Sequence, residues 1–161
     1  MEIRLLNTDP AFNDYYMQAL DFDNNHSWIL DTIDEESLFW DIEEMRFSSY
    51  SFGLFDNDKL IGLSLVNFEF DDNDSLIYDF SIIIDPKYRK KGIGYMFSCQ
   101  VLDLVNKKYK VNSINAHVKS NNIGSISLLS KLGFDMNGTE DSINLYSFNF
   151  DNDLNKKKVN N

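Results

Sequence analysis

The stretch SLIYDFSIIIDPKYRKKGIGY, residues 75 to 95, begins with the character of a strand and ends with that of a helix. Its first part is rich in β-branched and aromatic residues: Ile77, Tyr78, Phe80, Ile82, Ile83 and Ile84. Pro86 closes the strand, because proline has no N–H to give to a ladder. Beyond Gly94 the apolar residues change period. Ile93, Phe97, Val101, Leu104 and Val105 recur at helical spacing and predict a helix to about Asn106.

The rest of the chain divides in the same way. Glu2 to Leu6 reads as a first strand. Asp9-Pro10 opens a helix carrying Phe12, Tyr15, Tyr16, Ala19 and Leu20, with proline tolerated in the first turn. Asp34-Glu35-Glu36 opens a second helix to about Phe47, its acids placed where the dipole favours them. Trp28, Phe39, Trp40 and Phe47 are expected in the core. Tyr50 to Phe55 and Leu60 to Phe70 are strands joined by the turn Asp56-Asn57-Asp58-Lys59. Asp71 to Asp74 is the next turn, so three antiparallel strands lead into the one ending at Ile84. Val111 to Val118 is a further strand. A helix follows between Asn122 as cap and Gly133 as stop. Ile143 to Phe150 is the closing strand, and Asp151 to Asn161 is a polar, frayed tail. One domain over residues 1–150 accounts for the pattern.

Composition narrows the class. Of 161 residues, 43% are hydrophobic and 14% aromatic, enough for one globular core. No apolar run is long enough for a membrane span, and MEIRLLNTDP lacks the pattern of a signal peptide. Cys99 is the sole cysteine, which excludes an internal disulfide and fits a reducing, cytoplasmic setting. Its place in the helix after the glycines reads as a small buried thiol. The net charge of −11 disfavours nucleic acid as a partner and suits a cationic substrate such as an amine. Solubility explains that charge equally well.

The candidate chemistry sits between strand and helix. Arg89-Lys90-Lys91-Gly92-Ile93-Gly94 places three cations and two glycines at a helix mouth. Backbone N–H groups converge there, the dipole adds positive potential, and glycine lets a phosphate approach the main chain. This is an anion site suited to a pyrophosphate. It is neither a Walker loop nor a dinucleotide fingerprint: no Gly-Lys-Ser/Thr follows, and Phe97 stands at the third glycine position. Metal binding is not expected. Asp21 to Asn25 begins like a calcium loop but has His26 where glycine is needed and Thr32 where a bidentate glutamate is needed. His117 faces away from Ala116 and Val118 by alternation, and a structural reading of it outweighs a catalytic one.

Arg-x-x-Gly-x-Gly behind a strand resembles the acetyl-CoA loop of the GNAT superfamily of N-acetyltransferases. A second block, Asn122 to Phe134, is similar to that family's Asn-x-x-Ala/Ser-x-x-Leu-Tyr-x-Lys-x-Gly-Phe, matching at Asn122, Ser125, Leu128, Lys131, Gly133 and Phe134. The resemblance implies an α/β fold with a mixed, mostly antiparallel sheet of six to seven strands, splayed at the centre and flanked by about four helices. It implies acetyl transfer from acetyl-CoA to a primary amine, on a small molecule or a peptide N-terminus, by a monomer or homodimer. It also implies a cofactor set of Ile82, Ile84, Arg89, Lys90, Lys91, Gly92, Ile93, Gly94, Asn122 and Ser125. The family's tyrosine after Leu128, which protonates the leaving thiolate, is Leu129 here. The Ser125–Leu129 combination looks like the Rim-type subgroup acting on ribosomal-protein N-termini. A thiolate, its parent thiol having a pKa of about 8.5, is a fair leaving group unaided, and Ser125 is a candidate partner for it. For the amine proton the sequence leaves Tyr78, as a positioner of water, with Asp79 and Glu69 as alternatives. A non-catalytic CoA-binding module with the same fold is the rival reading.

Overall fold

The computed structural model describes residues 1–23 and 34–151. Four strands build one antiparallel half of a sheet: β1 (Glu2–Leu5), β2 (Ser49–Asp56), β3 (Lys59–Phe70) and β4 (Leu76–Ile84). The β2–β3 hairpin turns through Asn57 and Asp58, both at positive φ (48° and 65°), a conformation that Asn and Asp adopt more readily than most residues. The other half contains β5 (Ser113–Lys119), β6 (Asp135–Glu140) and β7 (Ile143–Asn149). The seven strands run in the order β1-β2-β3-β4-β5-β7-β6. The halves join at β4 and β5, the parallel pair, whose register is the single pairing Asp79↔Asn115. The expected class, a splayed and mostly antiparallel sheet with flanking helices, is the one observed. β6 is absent from the sequence reading because DMNGTE is polar, and its one interior glycine breaks the register at Met136/Gly138.

Helices α1 (Phe12–Asp21) and α2 (Glu35–Phe47) cover one face of the sheet, while α3 (Ile93–Tyr109) and α4 (Ile123–Leu132) pack on the other. The larger core joins Phe97, Val101 and Val105 of α3 to Phe80 and Ile84 of β4, Leu129 of α4, and Ile114 and Ala116 of β5. The smaller joins Phe12 and Ala19 of α1 and Leu38 and Ile42 of α2 to Leu60, Leu63 and Leu65 of β3. Asp34 caps α2 by accepting from the Ser37 N–H at 2.7 Å. Lys107 and Lys108 occupy the last turn of α3, where cations complement the dipole.

Two expectations about burial fail for one geometric reason. Phe39, Trp40 and Phe47 are 46%, 62% and 77% exposed. Residues 38, 42 and 45 make a competing aliphatic stripe on α2, and this is the stripe that faces α1 and β3. The aromatic stripe shares its face with the exposed Glu36 and Glu44 and turns outward, Phe39 and Trp40 packing edge to face at 5.3 Å. Cys99 is likewise exposed, because the buried face of α3 runs through Phe97, Ser98, Val101, Leu102 and Val105. Trp28, His26 and Thr32 lie outside the described residues.

Phe97 is fully buried and Trp40 largely solvated. Phe97→Ala is therefore expected to cost about 3–5 kcal/mol, and Trp40→Ala to stay within about 0.5 kcal/mol of the parent, in urea unfolding.

Candidate active site

The site begins where the sheet divides. The Asp85 N–H donates to the Ile61 carbonyl at 2.8 Å, continuing the β3–β4 ladder. Antiparallel pairing alternates every residue, so Ile83 and Ser81 also turn their amide groups toward β3. Ile82 and Ile84 then present theirs to the opposite edge. Among the described residues β4 meets β5 on that edge only at Asp79↔Asn115, and no described strand pairs with β4 there from Phe80 onward.

The chain after β4 is fixed tightly. Asp85 caps the short turn Pro86–Tyr88, its carboxylate accepting from the Lys87 N–H at 3.0 Å. The Tyr88 hydroxyl donates to Asp56 at 3.1 Å, which ties the turn to the β2–β3 hairpin and raises the phenol's pKa. Arg89 Nε donates to the Ile84 carbonyl at 2.8 Å, and its guanidinium reaches the Asp23 carboxylate at 2.5 Å. Lys90 (φ 60°) and Gly92 (φ 77°) then curl the loop left-handed into α3. Among the described residues no side chain caps this helix. Its first internal bond runs from the Met96 N–H to the Gly92 carbonyl, which leaves the amides of Ile93, Gly94 and Tyr95 without an intrahelical acceptor.

Gly94 and Tyr95 of this first turn line a cleft of about 660 Å³ between β4, the loop and α4. Of the residues expected to hold a cofactor, it gathers Ile82, Ile84, Arg89, Lys90, Gly92, Gly94, Asn122 and Ser125. Lys91 and Ile93 are not in its lining: the Lys91 ammonium lies 5.8 Å from the Tyr88 ring centroid, and Ile93 packs against the larger core. Asn122 accepts from the Ser125 N–H at 3.1 Å, capping α4 at the cleft's edge. A diphosphate carrier fits what is present. A Cβ on Gly94 would stand 3.7 Å from Ile84 Cγ1 and 3.9 Å from Leu128 Cδ2, occupying the cleft without disturbing its walls. Arg89, Lys90 and Lys131 supply the positive charge.

Sequence reasoning overlooked Lys131 as a cleft cation, together with Gly124, Ser127, Leu128, Tyr95 and Asp23. A signal existed for the first four, since 124, 127, 128 and 131 form one face of a helix. Lys131 Nζ lies 4.4 Å from the Tyr95 ring centroid, and the Tyr95 phenol is raised by its hydrogen bond with Cys99. Asp23 carries no local signal, because only the fold brings it to Arg89.

On the other side of β4, a smaller pocket of about 150 Å³ is lined by Tyr16, Ala19 and Leu20 of α1, Leu63 and Leu65 of β3, and Ser81 to Ile83 of β4. It shares Ile82 and Ile83 with the large cleft. Its helical wall comes from α1 rather than from the aromatic residues of α2. Burial raises the Tyr16 phenol. Tyr78 stands apart from both pockets, against Phe68 (6.3 Å between centroids) and on the face where Tyr50 stacks on Tyr109 at 3.9 Å. Glu69 is exposed and pairs in register with Ile77, toward the far end of the β3–β4 hairpin. Leu129, at the family's tyrosine position, is 3% exposed and part of the core. Among the described residues no three His, Cys, Asp or Glu side chains gather as metal ligands.

Known proteins share this architecture. SpeG of Vibrio cholerae, a spermidine N-acetyltransferase solved as a point mutant, superimposes with a TM-score of 0.72 at 20% identity, covering 98% of this chain and 99% of that one. The ribosomal-protein-alanine N-acetyltransferase of Brucella melitensis gives 0.69 at 18% identity, over 93% and 100%. YncA of Salmonella typhimurium, a putative acetyltransferase solved with acetyl-CoA, gives 0.67 at 15% identity, over 92% of each chain. No curated protein matches the sequence itself. The model of the acetyltransferase (GNAT) domain matches residues 2–135. That match spans both sequence blocks and the strand between them, and the chain belongs to the GNAT acetyltransferase family.

Proposed function

We propose that the protein is an acetyl-CoA-dependent N-acetyltransferase that moves an acetyl group to a primary amine, on a small molecule or a peptide N-terminus, by direct attack on the thioester. The observation that carries this reading is the meeting of two features in one cleft. One is a helix mouth whose first amides no described residue engages, and the other is a strand edge with which no described strand pairs.

Acetyl transfer needs a held thioester, a neutral amine, a cradle for developing oxygen charge and a proton for sulfur. The amides of Ile93 to Tyr95, with Arg89, Lys90 and Lys131, suit the diphosphate. The N–H and carbonyl of Ile82 and the N–H of Ile84 suit the amide-bearing arm of the carrier, and an N–H there can polarise a carbonyl laid beside it; the Ile84 carbonyl is held by Arg89. Asn122 and Ser125 flank that arm, and Ser125 has a hydroxyl to offer a departing thiolate. The pocket beyond Ile82 and Ile83 is the space left for the acceptor. The Tyr78 ring packs by Phe68 on the larger-core face of β4, and Glu69 stands toward the far end of the β3–β4 hairpin.

The rival, a CoA-binding module without turnover, draws on the buried Leu129. Acetyl-CoA offered with a panel of primary amines, peptides and polyamines separates the two, with free thiol as the readout. Turnover on one class of amine is expected, and thiol release no faster than the buffer blank with every amine would establish the rival.

Two substitutions separate cradle from backbone. Gly94→Val should abolish measurable CoA binding in calorimetry, at least 100-fold weaker, with the melting temperature nearly unchanged. Gly92→Val should weaken binding and also cost about 1–2 kcal/mol of stability, because its φ is left-handed. Asp23→Ala removes a carboxylate that competes for Arg89. It should tighten CoA binding by up to about fivefold at low salt, the worth of an exposed ion pair.

A further inference from the structure

Where β4 and β5 part, two side chains come together that no part of the acetyl-CoA site uses. His117 Nδ1 of β5 lies 2.9 Å from Asp79 Oδ1 of β4. Their neighbours Phe80, Ala116 and Val118 belong to the larger core, so by alternation both point to the opposite face. This is the face of Ser81, which lines the smaller pocket. Extending the register from Asp79↔Asn115 by two residues sets His117 level with Ser81, one residue from Ile82. The pair therefore stands at the fork of the sheet, on the acceptor side of the open edge.

The environment of the carboxylate sets the chemistry of the imidazole. Asp79 Oδ1 is enclosed and has no aligned donor among the described residues. Its register neighbours Asn67 and Asn115 do not donate to it. A buried carboxylate oxygen without a donor is costly, and His117 Nδ1 is the nitrogen within reach. At this 2.9 Å contact the ring N–H is not aligned on the carboxylate; the tautomer that satisfies Asp79 after a turn of the ring carries its proton on Nδ1 and leaves the lone pair on Nε2. The His117 side chain is 54% exposed and that of Asp79 31%, so Nε2 is accessible while the carboxylate is sheltered.

We propose that His117, oriented by Asp79, is the base that deprotonates the acceptor amine; this rests on the acetyltransferase reading above. The ammonium gives one proton to His117 Nε2, forming an imidazolium that the Asp79 carboxylate neutralises. The freed nitrogen lone pair then forms the C–N bond at the thioester carbonyl, and the C–S bond breaks with its electrons going to sulfur. The nitrogen's second proton leaves to solvent, and the imidazolium proton goes to the thiolate directly or through water. The products are the amide and CoA thiol, with His117 neutral again. Asp79 acts as a positioning residue.

The test uses the full chain with an amine accepted by the wild type. His117→Ala and His117→Gln should lower kcat/KM at least 100-fold, the usual weight of general base catalysis. CoA affinity in calorimetry should stay within twofold. Added imidazole should restore activity to His117→Ala and not to His117→Gln. Asp79→Asn should lower kcat at least tenfold while KM for acetyl-CoA holds. The chain has two histidines, so the His117 imidazole signals are assigned by NMR as those missing from His117→Gln. They should shift when the amine is added without acetyl-CoA. Activity of His117→Ala within threefold of wild type, or His117 signals unmoved at saturating amine, overturns the assignment and leaves the acetyltransferase reading intact. CoA binding by the wild type without turnover of any amine overturns both.

Discussion

The parting of β4 from β5 is the constraint on which the site depends. Seven strands could form one continuous ladder, but the parallel junction holds at Asp79↔Asn115 and then opens. A strand edge inside a sheet is an unusual thing to leave bare, since main-chain N–H and C=O groups seek partners. Here the exposure is local and directed. β3 holds the other edge of β4 along its whole length, so the strand cannot shift to close the gap. α3 and α4 pack against the same strand from one side, and their first turns border the space. The fork, the glycine loop and the two helix mouths are thus one construction.

Electrostatics in this molecule are arranged against its average. The whole chain carries −11, yet the cleft collects Arg89, Lys90 and Lys131 around unengaged amides. Net charge governs solubility and encounter at long range. Within a Debye length, the local arrangement decides what is held. An anionic carrier can therefore be bound by a protein whose remaining surface favours cations, which is a useful division of labour when the second substrate is an amine.

How much of this was legible in the sequence depended on the range of the interaction. The order of strands and helices follows from local periodicity, and residues 75–95 announced their turn from strand to helix without help. The glycine loop was legible because its chemistry is contained within six residues, Arg89 to Gly94. β6 was missed because DMNGTE is held by pairing with β7, not by apolar content. The outward turn of Phe39, Trp40 and Phe47 was missed because α2 carries two candidate stripes, and only packing against α1 and β3 chooses between them. Cys99 was misplaced by a similar rotation of α3. Asp23 beside Arg89, and Asp79 beside His117, join residues 66 and 38 positions apart, and no local pattern reports such meetings.

The carboxylate of Asp23 gives the cleft a built-in counter-ion. Raising the ionic strength weakens the attraction between the loop's cations and an incoming diphosphate, but it also weakens the internal rival already seated on Arg89. These two effects oppose each other. The carrier's grip on this cleft should consequently respond less steeply to added salt than an unguarded cluster of three cations would. A modest salt slope here is thus no measure of how many charges the cleft employs.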